Sequence, residues 1–335
     1  MAAHGRCGQK GTGALGLLLA IVFFAAAVCA VLVASGVVSL PGSVSSSQEP
    51  AAPASPEELR YVAASASPAL EVKAAGDYSW EELSQVSALV SAAPDDASGL
   101  AIAREYGLVD QDGVPVSADI EVPLSDGTLA HAQLVGVRHD VRADGVPAGL
   151  TYMLSVVADQ PMCATDSTEG GWEKSVLRSW AASEGKALLP AELSSRLVAV
   201  GKATNNVGVT EDAAAVTVTT DELWCFSAVE VCGPVTWFAD EYGPTMSSYD
   251  ALVDAEGSQY AYFVSRGVTG STGLSATLAL TYRGQAWPWW YRTPYPYVFM
   301  GRGDSGSFFQ VTATGFPSSV GLASSSSGVV LGFCL

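Results

Sequence analysis

Apolar residues follow three different rhythms along this 335-residue chain. From residue 14 to residue 38 they form one unbroken run, ALGLLLAIVFFAAAVCAVLVASGVV, without a single charge. A run of that length spans a bilayer as a helix. Arg6 and Lys10 precede it, and no Lys or Arg follows until Arg60. That asymmetry places residues 1–13 in the cytoplasm and the rest of the chain outside, as a single-pass cell-membrane protein. A cleaved signal peptide is the rival reading, with Val33-Ala34-Ser35 as its cleavage site. A lipidated form is disfavoured because Val28, not a small residue, precedes Cys29.

The second rhythm is none at all. Residues 39–69 contain PGSVSSSQEPAAPASPEEL, rich in Ser, Pro and Ala, which predicts a flexible stalk. The third begins near residue 70 and alternates between helical and strand periods. Ser79-Trp80-Glu81-Glu82 is a capping box, and Leu83, Val86 and Val90 follow at helical spacing, predicting a helix over 80–91. A short helix is expected over 100–106, stopped by Gly107. DIEVPL and TLAHAQLVGV flank Asp126-Gly127 and predict a hairpin; LTYMLSVV predicts another strand. WEKSVLRSWAASE, over 172–184, reads as an amphipathic helix with Val176, Leu177 and Trp180 on one face, ended by Gly185. Pro190 opens a short helix through Leu197. VTVTT, LWCFSAVEV, QYAYFV, ATLALTY, SFFQV and GVVLGF then read as strands. The order predicts one α+β domain over 70–335.

Charge narrows the partners. A net charge of −18 argues against nucleic acid, whose phosphates need clustered Lys and Arg. Cys7 and Cys29 fall in the tail and the anchor. Cys163, Cys225, Cys232 and Cys334 fall outside, where disulfides form, although the apolar neighbours of Cys225 and Cys232 equally suit buried free thiols.

YSWEELSQVSALV and GLAIAREYGLVDQDG resemble the opening of a bacterial family of exported and surface proteins, domain-of-unknown-function family 6273. The similarity continues through LVGVRHDVRADGVPAGLTYML, the segment from Gly170 to Asn206, TTDELWCFSAVEVCG, DAEGSQYAYF, WPWWYRTPY and the terminal GFCL, so it extends over about residues 75–335. Tyr291-Arg292-Thr293 stands where the family has Leu-Arg-Ser. Cys225 and Cys232 replace aliphatic or aromatic residues. The family's Trp-Trp motif and Gly-rich last strand look C-type-lectin-like, which implies that fold here.

Several short motifs carry chemistry only in context. Gly303-Asp304-Ser305-Gly306 copies the serine-protease nucleophile, yet His4 lies across the membrane, and neither His131 nor His139 has a protease setting. Arg302-Gly303-Asp304 is an RGD triplet that reads as a polar loop tip. Asp110-Gln111-Asp112-Gly113 lacks the closing Glu of a calcium loop and reads as a turn. No cofactor or metal site is expected. Trp289 and Trp290 read as core. Tyr295, Tyr297, Phe299 and Arg302, in the segment after them, are the candidate ligand contacts, because aromatics supply contact area and polar neighbours supply hydrogen bonds. The expectation is a non-catalytic binding ectodomain for a glycan or a surface protein. Two alternatives stand beside it: a cell-wall-acting enzyme using His139-Asp140, and a structural spacer.

Overall fold

Strand Trp289–Pro294 (β9) shows how the domain is layered. Trp290 faces one core, with Trp80, Leu83, Tyr152, Leu154 and Phe333. Trp289 and Tyr291 face another, with Phe226, Tyr260, Phe309 and Val330. All six residues of the strand are buried. A sheet covered on both faces needs strands that are apolar at every position, not at alternate ones. That is why GVVLGF and WPWWY read as continuous hydrophobic runs.

The computed structural model describes residues 70–298 and 306–335. The 14–38 segment and the stalk to residue 69 therefore lie outside the described residues, as do Phe299 and Arg302. Among the described residues no helix is long and apolar enough to cross a membrane.

The architecture is mixed α+β, as the sequence implies. Helix α1, Trp80–Ser91, starts at the expected capping box: Glu82 N–H donates to Ser79 Oγ at 3.3 Å, and Ser79 N–H to Glu82 Oε2 at 2.8 Å. Helix α2 is Asp96–Glu105, opened by Asp95 as N-cap and reaching four residues further back than expected. Then come β1 (Ile120–Pro123), β2 (Leu129–Val137) and β3 (Leu150–Pro161). β1 and β2 form the hairpin around Asp126-Gly127, with Pro123 opposite Leu129.

The main sheet has eight strands in the order β1-β2-β3-β12-β9-β10-β11, with β6 pairing on β12 as well. Here β6 is Trp224–Cys225, β10 is Ser307–Val311, β11 is Ser319–Leu322 and β12 is Ser326–Cys334. β12 lies in the middle, antiparallel to β3 and parallel to β9. At Gly332 a Cβ would fall 2.6 Å from the Trp224 indole, so only glycine lets that ring lie flat on the strand. Two hairpins stand apart: β4 (Val200–Asn205) with β5 (Val216–Asp221), and β7 (Leu280–Tyr282) with β8 (Gln285–Trp287).

Three sequence expectations need correction. LWCFSAVEV is a strand for two residues only; Ser227 then caps a buried helix, Ala228–Cys232, through a capping box with Glu230. QYAYFV is helix Ala261–Ser265, because Tyr260 and Phe263, three apart, point into one core. In the 172–184 segment Trp172 is buried in a turn, the helix begins at Val176, and Val176 itself is 45% exposed. Its path runs on through a π-helical turn, Ala181–Gly185, to Leu188, so Gly185 does not end it.

The four described cysteines are free. Cys225, Cys232 and Cys334 are buried, and burial pushes the first two thiols up to about 12. The open choice between disulfides and buried thiols resolves to thiols.

Candidate functional site

The Trp-Trp motif leads to two different places. One is inside the protein. Arg292 on β9 is fully buried and donates to Glu230 through Nη1, 2.5 Å from Oε2, and Nη2, 3.0 Å from Oε1. Its remaining donors reach Thr204 Oγ1 and the carbonyls of Ala203, Cys225 and Glu256. Lys202 of β4 lies beside it, between Glu230 and Asp140. Burial opposes ionisation of Glu230, but the charges of Arg292 and Lys202 outweigh it and draw the carboxyl down to about 2. Glu256, buried at 1% exposure, shows the opposite balance: burial outweighs the Arg292 charge, and the group is pushed up to about 7. This cluster joins β4, β9 and the helix Ala228–Cys232. All of its charged side chains are buried, so it shapes the domain from within rather than contacting a ligand at the surface.

The other place is on the surface. Past β9 the backbone of Tyr295 stays on the sheet, its N–H donating to Ser307 O at 2.9 Å. Its ring lies between Phe238 and Phe309, with centroids 5.3 and 5.4 Å away. Phe238 belongs to helix Trp237–Tyr242, whose open N–H groups are capped from another helix. Asp250, in Ser247–Asp254, accepts from Phe238 N and Ala239 N at 2.9 Å each. Trp237 is fixed by its indole N–H, which donates to Gly270 O at 2.7 Å, and its ring stacks at a tilt on Phe309, 4.9 Å away.

Between these elements runs an open groove of about 580 Å³. Trp237, Phe238, Tyr242, Tyr295, Phe309 and Phe316 form its aromatic walls. Asp240, Glu241, Ser271, Thr272 and Ser318 supply its polar rim. Phe316 is 38% exposed, so the groove presents an accessible aromatic face. Burial first, then the bond between the Tyr242 and Tyr295 hydroxyls 3.3 Å apart, holds the Tyr295 phenol well above its ordinary value. These phenols are therefore neutral hydrogen-bonding groups at any physiological pH. Aromatic faces with a carboxylate and hydroxyl rim fit a ligand that has an apolar side and donor groups, and they repel anions.

Of the four candidate contacts, Tyr295 lines this groove. Tyr297 sits behind it, packed on Tyr242 and Tyr249 at 5.2 Å each. Phe299 and Arg302 lie outside the described residues, and with them Arg302-Gly303-Asp304 and all but the last residue of Gly303-Asp304-Ser305-Gly306. At Gly306 a Cβ would come within 2.5 Å of Asp166 O, a packing reason for that glycine. Trp289 and Trp290 are core, at 1% and 0% exposure. Asp110 forms a turn, its Oδ1 accepting from Asp112 N and Val114 N at 2.9 Å each.

His139 stacks on Tyr260, 3.9 Å between centroids, and Asp140 is buried in the Lys202 cluster. His131 Nδ1 pairs with Asp119 at 2.6 Å on the surface, while Ser155 Oγ accepts the backbone N–H of His131 and not its ring. Among the described residues no group of three His, Cys, Asp or Glu side chains is arranged for a metal ion.

Sequence reasoning missed the helix Trp237–Tyr242, which supplies half the groove, and, in the buried cluster, Lys202, Glu230 and Glu256; Asp140 and Arg292 were noticed, though not as partners. A trace was present: Trp237, Phe238 and Tyr242 set aromatic residues at helical spacing, and Ser227-x-x-Glu230 has the capping-box pattern.

A mixed α+β domain with a doubly covered sheet and an open aromatic groove is the class these features define. The chain belongs to the family described as Domain of unknown function (DUF6273), which matches residues 152–335, from β3 through β12. The helices and hairpin before residue 152 lie outside that match. No curated protein and no solved structure matches the chain.

Proposed function

We propose that residues 70–335 are the recognition domain of a membrane-anchored bacterial surface protein, and that the aromatic groove is its ligand-binding site for a glycan or a partner protein. The observation that carries this reading is the convergence of Trp237, Tyr242, Tyr295 and Phe316 on one open groove with a carboxylate rim. Solvent-facing aromatics held rigid by their own hydrogen bonds provide contact area at small entropic cost. The groove draws Tyr295, Phe309 and Phe316 from the segment between β9 and β12, and a C-type-lectin-like fold is the finer reading proposed here. Against the enzyme alternative stands the buried, ion-paired state of Asp140 beside a histidine stacked on Tyr260.

The test is binding of intact protein-bearing cells to glycan and surface-protein arrays, with Phe316→Ala and Trp237→Ala compared to wild type. Loss of about 1–3 kcal/mol in binding, tenfold or more, with an unchanged melting temperature supports the groove. Unchanged binding by both variants removes it.

A further inference from the structure

Lys202 is the group that ligand binding leaves unused. Lysine is almost never fully buried unless paired. This one, 2% exposed, is paired twice: Nζ lies 2.7 Å from Asp140 Oδ1 and 2.6 Å from Glu230 Oε1. Aromatic rings wall it in, with the Trp224 centroid at 4.5 Å and the Tyr260 centroid at 5.6 Å. Glu230 is already neutralised by Arg292, so Asp140 is the carboxyl left to Lys202.

The two oxygens of Asp140 are held differently. Oδ2 accepts from Thr151 Oγ1 at 2.6 Å, and the Tyr260 hydroxyl stands 3.0 Å from each oxygen. Oδ1 faces the amine. Thr151 thus holds Oδ2 alone, Tyr260 is shared between the two oxygens and also accepts from Lys202 Nζ at 3.1 Å, and Oδ1 is the oxygen the amine touches. Donors aimed at an oxygen that gains charge during reaction are the usual device for acyl transfer in a dry site.

We propose that Lys202 and Asp140 condense into an intramolecular amide cross-link, with Glu230 relaying the proton. The Lys202 ammonium first gives one proton to Asp140 Oδ1, leaving a neutral amine and a neutral acid. Burial disfavours two ions and so favours that exchange, against the Lys202 charge, which holds the Asp140 carboxyl below its ordinary range. The Nζ lone pair attacks Cγ, and charge collects on Oδ2 between Thr151 and Tyr260. A second proton passes from Nζ to Glu230 Oε1 and on to Oδ1. The Cγ–Oδ1 bond breaks, water leaves, and Nζ–Cγ remains as an amide with one hydrogen. Glu230 ends as it began, and neither oxidant nor outside reagent is consumed. Reacting groups already held in contact lose little further entropy.

The bond would tie residues 62 apart in sequence. It would fasten the β4–β5 hairpin to the β2–β3 turn, where the backbone offers only Gly201 N to Val141 O at 2.8 Å and the Arg142–Val200 bridge. A domain without disulfides among its described cysteines gains a covalent tie that reductants cannot open.

Trypsin reports the bond directly. Cleavage sites at Arg138, Arg142, Arg196, Lys202 and Arg266 predict three free peptides, 139–142, 197–202 and 203–266, if the side chains are unlinked. Full-length protein purified from cells, denatured and digested, is expected instead to give one species joining 139–142 to an uncut 197–266, lighter by one water. Free 139–142 together with cleavage after Lys202 overturns the proposal and leaves a plain buried ion pair. Lys202→Arg, which keeps the charge, is expected to yield no joined species. If that variant fails to fold, Tyr260→Phe keeps the ring and removes the hydroxyl, and is expected to slow linkage at least tenfold. Linkage at the wild-type rate in both Tyr260→Phe and Glu230→Gln would overturn the roles given to those side chains.

Discussion

Arg292 and Glu230 form a two-pronged ion pair with no route to water, Nη1 to Oε2 at 2.5 Å and Nη2 to Oε1 at 3.0 Å. Such a pair contributes little net stability compared with apolar replacements, but breaking it strands a charge. Arg292→Ala is expected to cost about 3–5 kcal/mol in chemical denaturation. Lysine cannot restore the fork, since its single ammonium serves one direction at a time. Denaturant midpoints of Arg292→Ala and Arg292→Lys that match wild type would refute this.

Glu256 sets a pH dependence. Its folded value near 7 is above the ordinary 4.5, so the folded state holds a proton that the unfolded chain has released. Its stabilising contribution is complete below about pH 4.5 and declines as pH rises to 7, by about 3 kcal/mol at most. Glu230 runs the other way: drawn to about 2, it supports the fold above pH 4.5 and is lost as pH falls towards 2. Melting temperature is therefore expected to peak near pH 5. Glu256→Gln, which mimics the protonated acid towards Thr293, should flatten the decline between pH 5 and 7. A variant profile parallel to wild type would contradict it.

Gly149 permits a close crossing. A Cβ there would lie 2.0 Å from Ser87 O, where the Ser87 hydroxyl accepts from Leu150 N at 2.9 Å and donates to Leu335 O. Gly149→Ala is expected to lose about 1–3 kcal/mol or more through forced backbone movement. Thermal denaturation beside Gly127→Ala separates this crowding from a purely conformational effect, because nothing lies within 4 Å of a Cβ at Gly127.

The buried thiols should be silent. Burial raises Cys225 and Cys232 to about 12, so thiolate is scarce at pH 8. Alkylation of native protein at that pH is expected to spare Cys225, Cys232 and Cys334, with all three labelled after denaturation. Rapid native labelling of Cys225 or Cys232 would show that the cores open.

Legibility followed the range of the forces involved. The Ser79–Glu82 cap and the Asp126-Gly127 hairpin were readable because each is complete within a few residues. Residues 261–265 misled, since Tyr, Phe and Val favour strands in isolation while tertiary burial of Tyr260 and Phe263 selects a helix. Lys202 in VGKATN looks like an exposed strand position. Only the fold brings Asp140 and Glu230 to it from 62 and 28 residues away, and no local pattern encodes such meetings. The groove was half visible: Tyr295 follows a motif that draws attention, whereas Trp237 and Phe316 become its walls only when their segments meet.

The central place of β12 governs the timing of folding. Strands β3 and β9 are neighbours only through it, and its register with β3 runs from Ser326 opposite Pro161 to Cys334 opposite Thr151. Until residues 326–334 leave the ribosome, the two halves of the sheet have no common seam and each exposes an open edge. Early collapse is limited to local pieces such as α1 and the β1–β2 hairpin, because long-range pairing has to await the most distant strand. Pairing across that seam is therefore the step of longest sequence range in the sheet, bringing residues 151–161 against residues 326–334.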